Sequence, residues 1–505
     1  MNKLNTSNPQ ALVFKTKELE ICVLGGMQFT SLERLKVTLR IKSKNNTIRQ
    51  PLDLYNDDLI GKLVRKVAER LELPTADIYQ AISDLTECLE DYRLKQIDKR
   101  QDKKPETKQL SKPEEKAAIK YLAAADLMQR TMSDIGKSGV IGEELNRLLI
   151  FICYTSRKQS KPLHIICLGS SGSGKTYLQE SVSALIPEED RIEITALSEN
   201  ALYYFGETEL AGKLILIEDL DGAEEVLYPL RELQSKQKIS KTVPFKDKQG
   251  NIQTQTITVK GPVATSGCTT KERFYEDNAN RAFLIHLDNS SKQDEEILSY
   301  QRTLSAGNVY EEEQNKIRTL FQNVQRTLEP VAVRNPYANK LNIPHLVFKQ
   351  RRTNELYLKL IEAITFYHQK QREEQVEKKS GEIYIQSTLD DIAWANKLIC
   401  EGLITKSDEL AKAERSFLEN LIYFLKKEKM TSFYTKDLRK HLRCSPATVK
   451  RHVYSLEEYG YLQKIRGSKA RGFEYKLMSF NDYELLKEHV YKVLDQVLNQ
   501  LKEAS

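Results

Sequence analysis

Apolar and polar residues alternate along residues 11–44, and a period of two is typical of paired β-strands. From Asp57 the apolar residues instead recur every three or four positions, which predicts an amphipathic helix. A second helix is predicted to run to about Leu94. We therefore expect residues 1–97 to form a small α+β domain.

Residues 98–116 have almost no apolar side chains and include two prolines, so we expect a solvated linker there. A charged run of this kind can also serve as a nucleic-acid-binding arm, which is the alternative interpretation.

From residue 117 to residue 290, short apolar segments alternate with helical patterns, which predicts a parallel sheet covered by helices. The predicted strands are His164–Leu168, Lys213–Ile217, 261–266 and 282–287. Two alternating runs on either side of a glycine predict a β-hairpin inserted at 242–259.

Residues 291–412 are predicted to be helical, with long amphipathic helices at 352–369 and 389–403. The final segment, 413–505, is predicted to contain a helix, a helix-turn-helix and a hairpin. Ser445 is a predicted N-cap and Pro446 suits the first helical position of the second helix in this motif.

Composition and cysteine spacing narrow the class of protein. Hydrophobic residues make up 40% of the 505 residues, which is enough for several cores. The longest apolar run, 148–154, is far below the roughly 20 residues of a membrane span, and residues 1–10 have no secretory pattern. Seven separated cysteines without a C-x-x-C pair argue against a zinc ribbon or a disulfide framework. We expect a cytoplasmic protein without membrane association.

Charge is concentrated near the C terminus. The formal net charge is +7, and residues 436–476 alone carry eleven Lys or Arg against four acidic residues. This segment therefore accounts for the whole excess and favours a nucleic-acid partner.

A phosphate-binding loop is predicted at 169–176, where Gly-Ser-Ser-Gly-Ser-Gly-Lys-Thr matches G-x-x-x-x-G-K-[ST] between a strand and a helix. Glycine and serine allow backbone N–H groups to surround a phosphate at the helix N-terminus. Lys175 is expected to reach the β- and γ-phosphates and Thr176 to coordinate Mg²⁺, so ATP and Mg²⁺ are the predicted cofactors. The predicted nucleotide contacts are Gly169, Ser170, Ser171, Gly172, Ser173, Gly174, Lys175, Thr176 and Tyr177.

Glu218 and Asp219 follow the apolar strand Lys213–Ile217, at the sheet edge where the phosphate loop is expected. Carboxylates there can hold the metal and activate water. We assign metal binding and general-base catalysis to the pair jointly and favour Glu218 as the base because its side chain is longer.

The segments after Asp219 resemble the AAA+ family, and more narrowly its branch with a β-hairpin before the second polar sensor strand. The resemblance implies that Thr269 orients the attacking water, with Thr265, Ser266 and Thr270 as alternatives. Asn280-Arg281 resembles the family's arginine-finger site. The resemblance therefore implies that Arg281 completes the site of a neighbouring subunit in a homo-oligomer, which is expected to be a hexameric ring.

Residues 352–363 match R-x-x-E-x-x-x-x-L-x-E-A, the lid helix of minichromosome-maintenance-type helicases. The resemblance makes Arg352 a γ-phosphate contact, with Arg351 as its competitor, and implies a helical lid within 291–412. Asp390-Asp391 would then lie on the next lid helix.

A further resemblance covers roughly residues 123–287 and is to the ATPase module of bacterial mobile-element primase-helicase proteins. It rests on Gly-Glu-Glu, Ser-Arg-Lys, Lys-Pro-Leu, Phe-Gly-Glu and Gly-Pro-Val at 142–144, 156–158, 161–163, 205–207 and 261–263. This sequence has neither the zinc-finger nor the toprim primase half, so a separate primase or recombinase is an expected partner.

The segment 434–476 resembles a winged helix, a fold that binds DNA or docks proteins. DNA contacts are expected from the second helix of its helix-turn-helix and from the wing, with Lys246 and Lys248 of the inserted hairpin touching a strand in the ring pore. The expected contacts in the winged helix are Thr448, Lys450, Arg451, Lys464, Arg466, Lys469 and Arg471.

The predicted fold is thus an α/β P-loop (AAA+) core with a helical lid, an N-terminal α+β domain and a C-terminal winged helix. The predicted function is a bacterial, cytoplasmic ATPase that translocates on or remodels DNA during replication of a mobile element. The alternative is a non-translocating initiator, loader or transposition regulator, in which ATP only sets assembly on DNA.

Overall fold

The structure is a computed structural model of the 505-residue chain. It describes residues 4–16, 18–27, 34–43, 46–101, 108–195, 200–223, 226–246, 252–271, 280–288, 290–308, 311–345, 347, 349–408, 410, 412–441, 445–468, 472–478 and 481–503. It divides into two units, Met1–Thr107 with Val243–Gln255 and Lys108–Thr242 with Thr256–Ser505. Across the described ranges, every helix is too short or too polar to span a membrane.

The first unit contains a five-stranded antiparallel sheet whose strands follow chain order, and two helices that share its apolar core. The elements are β1 (Leu4–Asn5), β2 (Ala11–Lys15), β3 (Glu20–Leu24), β4 (Lys36–Ser43), β5 (Asn46–Asp53), α1 (Asp57–Leu71) and α2 (Thr75–Gln101). The helix predicted from Asp57 is present and is capped by Asn56, whose side chain accepts from the Leu59 N–H. Strand β5 was not predicted, because Pro51 and few buried positions interrupt its alternation.

The predicted linker 98–116 is wrong at both ends. Helix α2 continues to Gln101, and α3 (Lys112–Leu122) begins within the predicted linker. The Ser111 N–H donates to Glu114 Oε2 over 3.0 Å, and Pro113 lies in the first turn of α3, so local capping starts a helix despite the charge density. Residues 102–107 lie outside the described residues.

The second unit is built on a five-stranded, all-parallel sheet of order β12-β6-β11-β8-β7, as the alternation of strands and helices predicts. Its elements are α4 (Leu127–Lys137), α5 (Glu144–Thr155), β6 (His164–Leu168), α6 (Lys175–Ser183), β7 (Arg191–Ile194), β8 (Lys213–Ile217), α7 (Leu227–Lys236), β11 (Val263–Thr269) and β12 (Phe283–His286). Strand β11 lies between β6 and β8, so the ends of these three strands meet at one edge.

The inserted hairpin consists of β9 (Lys238–Lys246) and β10 (Ile252–Lys260), and it begins earlier than the predicted 242–259. Gln237 adopts a left-handed conformation that ends α7, so β9 starts at the next residue. Cross-strand hydroxyl pairs join Ser240 to Thr258 and Thr242 to Thr256, each over 3.1 Å.

Helices follow the sheet, but three short strands among them contradict the all-helical prediction for 291–412. They form a sheet of order β13-β15-β14 and contain two to four residues each, too few for a recognisable alternation. The elements are α8 (Ser291–Ser305), α9 (Glu311–Thr327), β13 (Ala332–Arg334), α10 (Gln350–Tyr367), β14 (Gln375–Val376), β15 (Ile383–Gln386) and α11 (Leu389–Ser407).

Buried Arg157, just after α5, ties this helical layer to the parallel sheet. Its guanidinium donates to Gln325 Oε1 on α9 over 2.6 Å and to Asp190 Oδ2, before β7, over 2.5 Å. Arg157 belongs to the Ser-Arg-Lys segment at 156–158 on which the primase-helicase resemblance rests, and that resemblance stays a prediction.

Residues 410–478 form a separate apolar core, which we call the helix-hairpin module. It contains α12 (Lys412–Lys427), β16 (Ser432–Tyr434), α13 (Thr435–His441), α14 (Pro446–Glu458), β17 (Leu462–Ser468) and β18 (Gly472–Leu477). The three strands form an antiparallel sheet of order β16-β18-β17. As predicted, Ser445 caps α14, its hydroxyl accepting from the Thr448 N–H over 3.1 Å.

The predicted domain boundary 413–505 is wrong at its C-terminal end. Helix α15 (Asn481–Glu503) buries Val490, Leu494 and Leu501 in the large core that contains α10 and α11 rather than in the module. Asn396 on α11 donates from Nδ2 to the Leu494 carbonyl over 3.2 Å. The amphipathic pattern of α15 indicates a buried face but not the surface that covers it.

Candidate nucleotide-binding site

The loop between β6 and α6 has the geometry of a phosphate cradle. Gly172 and Gly174 have φ values of 79° and 87°, which residues with a Cβ rarely adopt. Lys175 is 7% exposed, and its Nζ donates to the carbonyl oxygens of Gly169 and Ser170 over 2.8 and 2.6 Å. Successive N–H groups at the start of α6 therefore surround a space suited to an anion.

The polar groups of this loop fit a phosphate. Among the described groups, the Ser173 hydroxyl oxygen is buried and has no hydrogen-bond partner. A Cβ at Gly169 would lie 2.8 Å from that oxygen, so glycine leaves room for the hydroxyl in this orientation. A buried donor without a partner costs free energy that a phosphate oxygen can offset.

One cavity of about 670 Å³, a volume typical of small-molecule sites, brings together part of the phosphate loop, the acidic pair and two of the predicted sensor residues. Its lining joins the phosphate loop to the ends of β7, β8 and β11. The lining residues are Ser171, Gly172, Gly174, Lys175, Thr176, Tyr177, Thr195, Glu218, Asp219, Cys268, Thr269 and Thr270. Thr195 and Cys268 were not predicted, because single residues at strand ends carry no local motif.

Oxygen ligands of the kind that Mg²⁺ prefers line this cavity. Thr176, which carries a hydroxyl, and the exposed residues Glu218 and Asp219, which carry carboxylates, are all part of its lining. Asp219 Oδ1 also accepts the Asp221 N–H over 2.8 Å, which orients its carboxylate. The donor set fits a magnesium ion bound beside a phosphate, and the division of roles within the acidic pair stays a prediction.

The β11 threonines are placed differently from one another. Thr265 accepts from Gln234 Nε2 over 2.8 Å and Ser266 accepts from the Tyr154 hydroxyl over 2.8 Å, so both are held inside the core. Thr269 and Thr270 line the cavity instead. Of the four alternatives for the sensor, the described lining includes these two, and the sensor role itself stays a prediction.

Asp221 is a residue of this site that the sequence reasoning missed. Its Oδ1 accepts from the Thr269 hydroxyl, and its Oδ2 accepts from the N–H and hydroxyl of Thr270 over 2.9 and 2.6 Å. Burial acts to raise the pKa of Asp221, but the hydrogen bonds from both threonines outweigh it, so the pKa is lowered. The only sequence signal was its spacing of two residues from Asp219.

Cys268 lies at the base of the cavity, beside Cys167 on the neighbouring strand. Its Sγ donates to Gln179 Oε1 over 2.6 Å. A hydrogen bond from Cys167 lowers the pKa of the Cys268 thiol, burial opposes this effect, and the Lys175 charge supports it.

The predicted arginines lie elsewhere. Arg281 Nε donates to Ser235 Oγ on α7 over 2.6 Å, and Arg352 is the third residue of α10 and is half-buried beside exposed Arg351. The described lining of the cavity includes none of these three arginines.

The predicted DNA contacts are partly described. Lys450 and Arg451 are exposed on α14 and Thr448 is half-exposed. On β17, the Lys464 ammonium lies 3.6 Å from the Phe473 ring centroid and Arg466 Nε donates to Glu474 Oε2 over 2.5 Å. Lys246 ends β9, without a described side chain, and Lys248, Lys469 and Arg471 lie outside the described residues.

A family model described as the MTBMA_p00010 P-loop domain matches residues 111–329, less than half of the chain. Geometry and match together identify these residues as a P-loop domain, a class that binds nucleotides. None of the curated proteins compared with the chain matches it.

Two solved structures show distant similarity. A full-length MCM homolog from Methanopyrus kandleri is 12% identical, with 80% of this chain and 76% of that chain covered and a TM-score of 0.39. SCCmec type IV Cch, described as an active helicase, is 10% identical, with 96% and 99% covered and a TM-score of 0.28.

Proposed function

We propose that this protein is an AAA+-type ATPase that couples ATP hydrolysis to translocation on DNA or to DNA remodelling. The observation that carries the proposal is the single cavity lined by the phosphate loop, the acidic pair and the β11 threonines. Phosphoryl transfer to water needs these three sets of groups at one place.

In this proposal, the chain's own groups divide the work of hydrolysis. Backbone N–H groups of the loop and Lys175 hold the β- and γ-phosphates, while Thr176 and the acidic pair hold Mg²⁺, which neutralises phosphate charge when bound. Glu218 or Asp219 takes a proton from the attacking water, and Thr269 orients that water. The products are ADP and inorganic phosphate.

We further propose a homo-oligomeric ring, with a hexamer as the expected form. Arg281 lies against α7 and outside the described lining of the cavity. This position suits an arginine finger that contacts the nucleotide of a neighbouring subunit. Arg352 is proposed as a γ-phosphate contact in addition to Lys175. This assignment rests on the resemblance of residues 352–363 to the helicase lid helix.

DNA is the proposed partner of the helix-hairpin module. Exposed Lys450 and Arg451 lie on a capped helix within the segment that carries the chain's excess positive charge. Such a helix suits groove and phosphate contacts. Replication of a bacterial mobile element, in the cytoplasm and beside a separate primase or recombinase, is proposed from the resemblance of residues 123–287.

The second candidate is an ATP-switched DNA-binding initiator, loader or regulator, which would use the same site without translocation. Purified protein should be incubated with a labelled forked duplex and ATP, with Lys175→Ala and a non-hydrolysable ATP analogue as controls. ATP-dependent strand separation by the wild type alone supports the translocase. Nucleotide-dependent binding without separation supports the switch.

A further inference from the structure

Asp221 connects two parts of the nucleotide site that are 48 residues apart in the chain. Its carboxylate accepts from Thr269, at the end of β11, and from Thr270, which follows it, whereas the described lining of the cavity includes both threonines but not Asp221. Asp221 therefore contacts two residues of the cavity wall without belonging to the described lining itself.

These hydrogen bonds determine whether the Thr269 hydroxyl can donate or accept a hydrogen bond on the cavity side. An ionised carboxylate only accepts hydrogen bonds, so the single hydroxyl hydrogen of Thr269 is directed to Asp221. The same hydroxyl oxygen accepts the Lys271 N–H over 3.1 Å. One lone pair of this oxygen remains, so Thr269 can offer the cavity an acceptor but not a donor.

Further contacts connect the acidic turn to the end of β11. The Leu220 N–H donates to the Cys268 carbonyl over 2.8 Å, and the Asp221 N–H donates to Asp219. A Cβ at Gly267 would lie 2.7 Å from the Leu220 side chain, so the turn packs closely on the strand. Moving the turn would therefore move both Asp219 and Thr269.

We propose that Asp221 is a positioning residue whose carboxylate holds Thr269 as a hydrogen-bond acceptor for the attacking water. The proposal rests on ATP hydrolysis at this site. A water that donates one hydrogen to Thr269 keeps its lone pair directed at the γ-phosphorus, and its second proton passes to the acidic pair. Without Asp221, the Thr269 hydroxyl can turn and donate to a phosphate oxygen instead.

The test compares Asp221→Ala and Asp221→Asn with the wild type in full-length protein. We expect kcat to fall by about 10–100-fold, the range typical of outer-shell residues, because water orientation is lost. We expect the Kd of a fluorescent, non-hydrolysable ATP analogue to stay within about threefold, because Asp221 does not contact the cavity. Asp53→Asn is the matched control, because Asp53 also accepts N–H bonds in a turn, from Leu35 and Tyr55, and should leave kcat unchanged.

Substitutions of the threonines separate positioning from folding. Thr269→Ser should keep most activity, and Thr269→Val should lose it. Adding Asp221→Ala to Thr269→Val should cause little further loss, because both act through one oxygen atom. Thr270→Val keeps its N–H bond to Asp221 and should lose less than about threefold.

Three results would overturn the inference. The first is a kcat of Asp221→Ala equal to that of the wild type. The second is a loss of kcat in the Asp221→Ala, Thr269→Val double variant that equals the sum of the two single losses in free energy. The third is a parallel decrease of kcat, nucleotide affinity and melting temperature in Asp221→Asn. If the wild type itself hydrolyses no nucleoside triphosphate, the proposed function fails and the inference fails with it. If the wild type hydrolyses ATP and Asp221→Ala does so at the same rate, the inference is rejected and the proposed function stands.

Discussion

Arg281 donates from Nε to Ser235 Oγ over 2.6 Å, and this contact holds its guanidinium against helix α7. Ser235 is exposed near the end of that helix, so the pair lies on the surface of the P-loop domain. A guanidinium held in this way is already oriented before any second subunit arrives.

A mixing experiment tests whether Arg281 acts between subunits. Arg281→Ala and Lys175→Ala should each bind normally to wild-type protein and each lack ATPase activity alone. Mixed in equal amounts they should recover part of the activity, because one type of junction then joins an intact phosphate loop to an intact arginine. ATP hydrolysis across mixing ratios, with light scattering for mass, measures this. A monomer that shows no recovery contradicts the ring.

Substitution of the acidic pair should abolish ATP hydrolysis without abolishing nucleotide binding. Lys175→Ala should lose nucleotide binding or turnover, because its ammonium is the cation in the described lining of the cavity. Glu218→Gln combined with Asp219→Asn should still bind ATP and should lose turnover by about 10²-fold or more, because no carboxylate remains to take the proton. Fluorescent-nucleotide titration and phosphate release measure the two effects. Unchanged hydrolysis in both variants would exclude this site.

Substitutions in the helix-hairpin module should affect duplex binding, whereas substitutions in the inserted hairpin should affect the coupling of ATP hydrolysis to DNA remodelling. Replacing Arg451, Lys469 and Arg471 by alanine should weaken duplex binding and reduce its salt dependence, because fewer counterions are released. Replacing Lys246 and Lys248 should spare that binding and uncouple ATP hydrolysis from DNA remodelling. Fluorescence anisotropy at several salt concentrations, with DNA-stimulated ATPase, measures both. Loss of duplex affinity in the hairpin variant alone would make the helix-hairpin module a protein-docking domain.

The phosphate loop was predictable because its signal is local: a strand, eight loop residues and a helix start follow one another in the chain. The Asp221–Thr269 contact was not, since it depends on β11 lying between β6 and β8. The position of α15 was missed for a related reason. An amphipathic helix indicates how much surface it buries, but the partner surface depends on the tertiary fold.

Arg415 should be important for the stability of the helix-hairpin module. Its buried guanidinium donates to both carboxylate oxygens of Asp408 over 2.7 and 2.6 Å, and to the Tyr461 hydroxyl over 3.2 Å. Arg415→Ala leaves Asp408 buried and unpaired, so we expect a loss of about 3–5 kcal/mol in the free energy of unfolding. Urea unfolding followed by amide hydrogen exchange of residues within 412–478, whose core is separate from that of the rest of the chain, measures it.

A matched control for that variant is Lys236→Ala, whose ion pair with Glu232 is exposed. It should unfold at the wild-type urea concentration, because exposed pairs contribute little. Equal stabilities of the two variants would show that the buried pair around Arg415 is not needed.

His164 on β6 should make stability fall in mild acid. Burial, together with the nearby Lys359 charge, lowers its pKa to about 3. Between pH 6.5 and 3 the unfolded chain binds a proton that the folded chain excludes, so stability is full above that window and falls as the pH decreases. The loss should reach about 2 kcal/mol at pH 5.

The variant His164→Gln should lack this part of the pH dependence, since glutamine does not titrate. Urea unfolding at pH 7 and pH 5 compares the two proteins. An identical decrease in both would show that other groups cause the acid sensitivity.

The return of α15 to the helical layer makes the helix-hairpin module an insertion rather than a C-terminal tail. The chain enters it from α11 and leaves it to α15. Truncation from the C terminus would therefore remove Leu501, Leu498 and Leu494 from the large core before it reached the module. Exchange of this module between related proteins requires two crossover points, one on each side, and keeps the P-loop scaffold intact only when both are used.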